Sequence, residues 1–270
     1  LSFVPFHMWT PDVYQGAPAP VTAFISTVSK AAVFALLLRY WIDLDAYRYG
    51  PVYLVLTIIS MLSMLVGNLL ALMQSDVKRI LAYSSIAHLG YLLVAFLAGG
   101  SQATEAVNYY LAAYVLTTLG AFGVVSVLSS SAEGDEVDSL AHYRGLFWRR
   151  PWVAGVFTLM LLSLAGIPFT AGFVAKFYAL RAGISAAGWW LVFMLIAGSA
   201  IGLFYYLRIV VALYAAPHEE PGTAGGRSLH AGAALAGAAA LAAFTIATVL
   251  IGVYPEPLIR FIQQATMLLG

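Results

Sequence analysis

Seven stretches of this chain are apolar for long enough to cross a bilayer, and no other feature narrows its possible folds as far. They run at approximately 20–41, 51–73, 77–98, 105–129, 152–181, 189–215 and 231–253. At a rise of 1.5 Å per residue, about 20 helical residues match the ~30 Å hydrocarbon layer. In lipid each backbone polar group must be satisfied inside the structure, so runs of this length cross as helices. Composition agrees: 62% of residues are hydrophobic and 9% charged, against roughly 25% charged in an average soluble chain. Thirteen Lys plus Arg and twelve Asp plus Glu cannot wet the surface of a globule this size. The expected fold class is an all-α polytopic membrane protein with about seven complete transmembrane helices plus a partial N-terminal one. Its first partner is the lipid bilayer.

The net charge of +1 offers no basic face for nucleic acid. Without cysteine there is no disulfide and no thiolate-held Fe–S cluster. The five His show no HxxxH-type spacing, and no metal or cofactor site is expected in the chain. It opens Leu1-Ser2-Phe3-Val4-Pro5, apolar from the start and without an initiator Met or signal peptide. That reads as the interior of a segment, so the expectation is a fragment whose N-terminal part is missing. Residues 1–270 then form a single membrane domain: the end of a broken helix and a loop over 1–19, a helical bundle over 20–253, and a tail over 254–270. The tail is weakly amphipathic and could lie along the interface.

Lys and Arg in the connections give orientation. Lys78, Arg79, Arg144, Arg149, Arg150, Arg208 and Arg227 fall on one side, Arg39, Arg48, Arg181 and Arg260 on the other. Seven against four puts the 74–78, 130–151 and 216–230 connections in the cytoplasm and the C-terminus in the periplasm.

Two places break the spanning pattern. Within 152–181 stands Gly166-Ile-Pro168-Phe-Thr-Ala-Gly172; the proline removes a backbone donor and the glycines tolerate an unwound chain. One discontinuous helix is expected near 166–172. Val4-Pro5-Phe6-His7 is a similar break in the N-terminal element. Paired interrupted helices mark the ion site of many transporters, whereas a lone proline is a kink that membrane helices tolerate.

The three lysines are informative. Lys30 lies ten residues from Pro20 and nine from Arg39, about 14–15 Å from either end of its helix, too far for its stem to reach the interface. A central lysine costs about 2.5–3.5 kcal/mol to insert, so it needs a partner, water or a neutral state. Reversible proton loading and a fixed salt bridge are the two readings. Lys176 follows the break and lies about 7–8 Å from Arg181 along the helix, so a snorkelling side chain competes with a functional one. Lys78, with Asp76 and Arg79, starts a segment at the inner interface and reads as an anchor or a relay. His88 is the remaining intramembrane ionisable group. Ser84, His88 and Tyr91 fall at i, i+4 and i+7, one helical face, and a hydroxyl–imidazole–phenol stripe can order water around a group that titrates near neutrality. A buried neutral His bonded to one hydroxyl is the plainer alternative. Ser26 and Ser29 either line the Lys30 site or bond their own backbone carbonyls. His7 belongs with the first break, and His142, His218 and His230 with loops. Asn68 reads as an interhelical hydrogen bond. No carboxylate lies inside a spanning stretch; Asp12, Asp43, Asp45, Asp76, Glu105 and Glu256 sit at ends or loops. The small-residue run 231–243 points to close helix packing.

Three long stretches carry a resemblance. Val4 to Phe24 followed by Ser29-Lys30, Lys78 to Tyr91, and Leu164 to Tyr178 closely resemble, in that order, the antiporter-like, proton-conducting membrane subunits of bacterial respiratory complex I. The resemblance runs over essentially the whole chain. It implies a fourteen-helix fold of two inverted five-helix repeats, of which this sequence is the second half, from late helix seven onward. It also implies a proton relay in which Lys30 sits on the central hydrophilic axis, Lys176 on the broken helix ends the outlet branch, and His88 bridges them through water. His7, Ser84, Tyr91 and Lys78 would support that relay. The implied partners are other membrane-arm subunits, with NADH, FMN, Fe–S clusters and quinone held elsewhere in the complex, in the bacterial inner membrane. A cation/proton antiporter or hydrogenase-linked membrane arm shares the fold, and a scaffold without a proton path is the reading from another class.

Overall fold

A computed structural model describes residues 1–44, 49–129, 138–186, 188–216 and 231–269. Asp45, Arg48, His218, Arg227 and His230, named above from sequence, lie outside the described residues.

The described chain is helical, with an isolated antiparallel bridge between Asp76 and Ser139. A short α1 (Trp9–Gly16) precedes α2 (Ala19–Phe24), a π-helical turn (Ile25–Ser29) and α3 (Lys30–Asp43), which together form one span. Then come α4 (Gly50–Leu72), α5 (Val77–Ala98) and α6 (Gly100–Ser129). A 3-10 turn (Leu140–Tyr143) and the short α7 (Leu146–Arg149) lead to α8 (Pro151–Ala165), α9 (Ala171–Ser185), α10 (Trp189–Tyr214), α11 (Ala231–Val253) and α12 (Glu256–Leu269). Among the described residues, six helices are long and apolar enough to cross a membrane. The seventh apolar stretch is the interrupted pair α8 and α9. The chain is a multi-pass membrane protein.

Local chemistry sets the helix ends. Pro51 and Pro151 occupy the first turns of α4 and α8, where a missing N–H costs nothing. Asp76 caps α5 by accepting from the Arg79 backbone N–H at 2.9 Å, one of the donors an N-terminus leaves free. Gly166 ends α8 in the left-handed region (φ 86°) and donates to the Leu162 and Ser163 carbonyls. Pro168 cannot continue that helix, so the chain runs open to Thr170 before α9 begins.

α5 is the centre of the bundle. Its spanning window is 94% buried, against 33% for α4 and 11% for α11. Two apolar clusters flank it. One is built around Phe34, Trp41 and Phe96 with Tyr109, Tyr110 and Tyr114; the other around Phe122 and Phe157 with Tyr14, Tyr205 and Tyr206. Tyrosines from both clusters turn their hydroxyls toward the polar groups of α5. The tail forms a full helix, α12, that buries Ile259 and Ile262 and leaves Arg260 and Phe261 exposed.

Candidate functional site

Lys30, the first residue after the π-helical turn, is 5% exposed. Its ammonium donates to Ser85 Oγ on α5 at 2.6 Å, and the Tyr114 hydroxyl of α6 donates to the same oxygen at 2.8 Å. The ammonium also stands 5.2 Å from the centroid of the Tyr14 ring. Tyr114 and Ser26 are joined through the Ser26 carbonyl at 3.0 Å, while the Ser26 hydroxyl bonds back to Ala23 O.

One turn along α5 from Ser84, His88 is buried between two phenols: Nδ1 lies 2.8 Å from the Tyr110 hydroxyl and Nε2 3.2 Å from the Tyr206 hydroxyl. Tyr206 also bonds Ser84. The imidazole stands edge-on to Tyr91 at 5.6 Å between centroids and 5.7 Å from the Tyr114 ring. Tyr91 in turn accepts from Asn68 Nδ2 at 2.7 Å, and Asn68 Oδ1 accepts from Tyr205 at 3.1 Å. Asn68 is thus the interhelical link its lone position suggested, joining α4, α5 and α10.

Lys176, in the second turn of α9, points back across the break. Its ammonium donates to Ala165 O at 2.9 Å, one of the carbonyls that the end of α8 leaves without a helical partner. It too lies 5.2 Å from a tyrosine centroid, that of Tyr91. At 8% exposure and bonded toward α8, it does not snorkel toward the Arg181 end. The break is tightly built: Gly172 N donates to Ser163 Oγ at 3.1 Å, and a Cβ on Gly172 would lie 1.8 Å from Ser163 O. Beside it a cavity of about 10 Å3 is walled by His88, Tyr110, Tyr114, Thr117, Ser163 and Leu164 among others. That is near the smallest space able to take one water, with the polar groups of His88, Tyr110, Tyr114, Thr117 and Ser163 among an otherwise apolar wall. It borders His88 on one side and, through Leu164 and Ala175, the neighbours of Ala165 and Lys176 on the other.

No ion pair involves Lys30 or Lys176 among the described residues. Lys78 differs. It is fully buried rather than placed at an open interface, pairs with Asp138 at 3.2 Å and donates to the carbonyls of Gln15 and Ala17. With the Arg79–Asp12 pair and the Gln15–Asp76 bond, it ties α1 to the start of α5, away from His88. Burial raises the Asp76 carboxyl above the usual carboxylate range; the Arg79 backbone N–H opposes the rise and Asp138 adds to it. His7 is buried in the turn before α1, and no hydrogen bond joins it to the lysine network among the described residues. Among the described residues, no group of three or more His, Asp or Glu is placed to hold a metal ion.

Of the residues singled out from sequence, Lys30, Ser84, His88, Tyr91 and Lys176 come together around α5, whereas Lys78 and His7 do not join them. Sequence reading missed Ser85, Tyr14, Tyr110, Tyr114, Tyr205 and Tyr206. Tyr110, Tyr114 and Thr117 fall at i, i+4 and i+7 of α6, a signal obscured because tyrosine counts as apolar in hydropathy.

Residues 1–202 match the family model described as NADH:quinone oxidoreductase/Mrp antiporter, transmembrane. The chain belongs to this family. Among its members, NADH-quinone oxidoreductase subunit N of Ectopseudomonas mendocina is 52% identical over 99% of the chain and 53% of its own length. The chain therefore spans about half the length of that curated relative. Among solved structures, a chain of respiratory complex I from Thermus thermophilus with bound aureothin is 37% identical, with TM-score 0.80 over 96% of this chain and 55% of its own. A chain of the Mrp complex from Dietzia, 23% identical with TM-score 0.82 over 97% of this chain and 55% of its own, shares the fold. The antiporter-like architecture expected from the three motifs is the observed one.

Proposed function

We propose that this chain is part of a proton-translocating membrane subunit of NADH–quinone oxidoreductase, and that it carries protons between Lys30 and Lys176 by way of His88. The observation that supports this most directly is the run of buried polar contacts along α5, from Lys30 through Ser85 and Tyr114 to the cavity at His88 and on to the break that holds Lys176. Hydroxyls and a neutral imidazole each donate and accept, so such a run can pass a proton without a charged residue at every step. His88 is poised between two phenols, and a water in the adjoining cavity would complete the contact to Ser163 and the Lys176 side. Ser84 and Tyr91 hold the stripe in place; Lys78 acts as a structural anchor through Asp138, and His7 as part of the first break.

Quinone reduction would supply the energy from elsewhere in the complex, where NADH, FMN, Fe–S clusters and quinone are held by other subunits, and this chain would hold no cofactor itself. Its partners would be neighbouring membrane-arm subunits, in the bacterial inner membrane with the C-terminus in the periplasm and residues 1–270 acting as one domain. The 52% identity to subunit N favours this assignment over an Mrp-type antiporter, for which the likeness is one of fold. Each charge moved costs about 2.3 kcal/mol per 100 mV, a scale that the loss or gain of one or two charge-assisted hydrogen bonds can match.

The test is proton pumping per electron pair in membrane vesicles carrying Lys30→Ala in the intact protein, with assembly verified. A lost or sharply reduced ratio in an assembled enzyme is expected. Normal pumping with normal assembly would leave the scaffold reading in its place.

A further inference from the structure

The two relay lysines share an environment that the motifs do not announce. Each is buried, each donates to one neutral oxygen, Ser85 Oγ for Lys30 and Ala165 O for Lys176, and each ammonium stands 5.2 Å from the centroid of a tyrosine ring. Within about 6 Å, the negative face of an aromatic ring attracts a cation, and the attraction grows when water is excluded. Both rings are fixed from behind. Tyr91 is held through its hydroxyl by Asn68, which is braced by Tyr205; Tyr14 is fully buried with its ring edge-on to Phe122 at 5.9 Å.

We propose that Tyr14 and Tyr91 are positioning residues whose ring faces stabilise the charged forms of Lys30 and Lys176. The inference rests on the relay reading above. A carboxylate would hold the ammonium in a fixed ion pair, as Asp138 holds Lys78. A ring face stabilises the charged form by less and bears no proton of its own to exchange at neutral pH, so the lysine is oriented in both states and remains free to release its proton. Tyr91 has a second contact, since its ring also meets His88 edge-on. Charge on Lys176 and on His88 is therefore sensed by one aromatic system. Tyr14 instead packs edge-on against Phe122.

The test separates ring electrostatics from ring packing. Tyr91 is replaced by phenylalanine and then by mono-, di- and trifluorophenylalanine in the intact, assembled protein, and the same series is made at Tyr14. Lys176→Ala and Lys30→Ala are measured alongside. Each phenylalanine variant is the reference for its own series, because fluorine drains the ring face with little change of shape. Proton pumping is expected to fall stepwise with fluorine number, by about 3- to 10-fold in all at each site. A flat series at both sites, while the lysine variants abolish pumping, would overturn this role of the rings and leave the relay standing. Full pumping in the lysine variants would overturn the relay itself and this inference with it. A purely structural role of the rings predicts the flat series.

Discussion

Replacing Gly172 by alanine tests the break where sequence, packing and proposed chemistry meet. A Cβ there would lie 1.8 Å from Ser163 O, 2.7 Å from Ser163 C and 3.1 Å from Ser163 Oγ. To bring the first contact out to 3.0 Å, the start of α9 must retreat from the end of α8 by about 1.2 Å. The obstruction is backbone, so no rotamer change relieves it, and the cost should reach the upper part of the 1–3 kcal/mol typical of overpacking. The same retreat strains the Gly172–Ser163 bond and carries Lys176, one turn further on, away from Ala165 O. A bond now 2.9 Å long would lengthen toward about 4 Å, outside hydrogen-bond range. Misplacement by about 1 Å can lower a rate by as much as 100-fold, so pumping should fall at least tenfold. Gly155→Ala is the control. Nothing lies within 4 Å of its Cβ, and alanine is the better helix former by about 1 kcal/mol. Thermal unfolding of the purified protein and proton uptake in vesicles are read on both variants. If Gly172→Ala matched Gly155→Ala in stability and pumped normally, the close approach of α8 and α9 would be refuted.

Three other perturbations have expected outcomes. Asn68→Ala removes the shared hydrogen-bond partner of the buried Tyr91 and Tyr205 hydroxyls and should destabilise the protein by about 1–3 kcal/mol, at roughly 0.5–1.5 kcal/mol per lost bond; thermal unfolding checks it. Asp138→Asn leaves the fully buried Lys78 ammonium with carbonyl partners but without its carboxylate, and should cost about 3 kcal/mol, more than Lys78→Met, which removes the buried charge as well; the reverse order in thermal unfolding would contradict the pairing. Asp76→Asn keeps the cap on α5 and removes a carboxylate that burial raises. A raised carboxyl weakens the folded state as pH climbs above the ordinary carboxylate value of about 4, so the variant should gain stability relative to the parent at neutral pH. The gain should vanish in acid, where both forms are neutral, and a pH series of unfolding midpoints would show it.

Some of this was written plainly in the residues. Long apolar runs locate α4, α5 and α10 to within two or three residues because the hydrocarbon layer fixes helix length, and Gly166, Pro168 and Gly172 mark the break because few other side chains fit there. Lys30 stood out by its distance from either helix end. What could not be read was convergence. α5 is surrounded on all sides, so it has almost no amphipathic contrast to show which face carries Ser84, His88 and Tyr91 toward which neighbour. The π-helical turn at Ile25–Ser29 has no composition of its own; its Ser26 bonds back to the preceding turn, a habit of hydroxyl residues in ordinary bent helices as well. The phenols around His88 were hidden because a hydropathy profile records the ring of a tyrosine and not its hydroxyl. The burial of Lys78 could not be read either: the start of a spanning segment normally lies at the interface, but here α1 and the segment at Asp138 close over it.

The same bundle therefore uses lysine in two ways, and the partner decides which. Lys78 sits against a carboxylate and two carbonyls; breaking a buried ion pair costs about 3–5 kcal/mol, more than one charge gains from 100 mV of membrane potential, about 2.3 kcal/mol. Those contacts tie α1 to the start of α5. Lys30 and Lys176 each have one neutral oxygen and one ring face, interactions worth about 1.5–3 kcal/mol and 0.5–2 kcal/mol before the desolvation of the ammonium is subtracted. Against an insertion cost of about 2.5–3.5 kcal/mol for a central lysine, the remainder does not exceed what 100 mV supplies by much. On the proposed relay, a charge arriving at a neighbouring group can then tip the balance at either lysine.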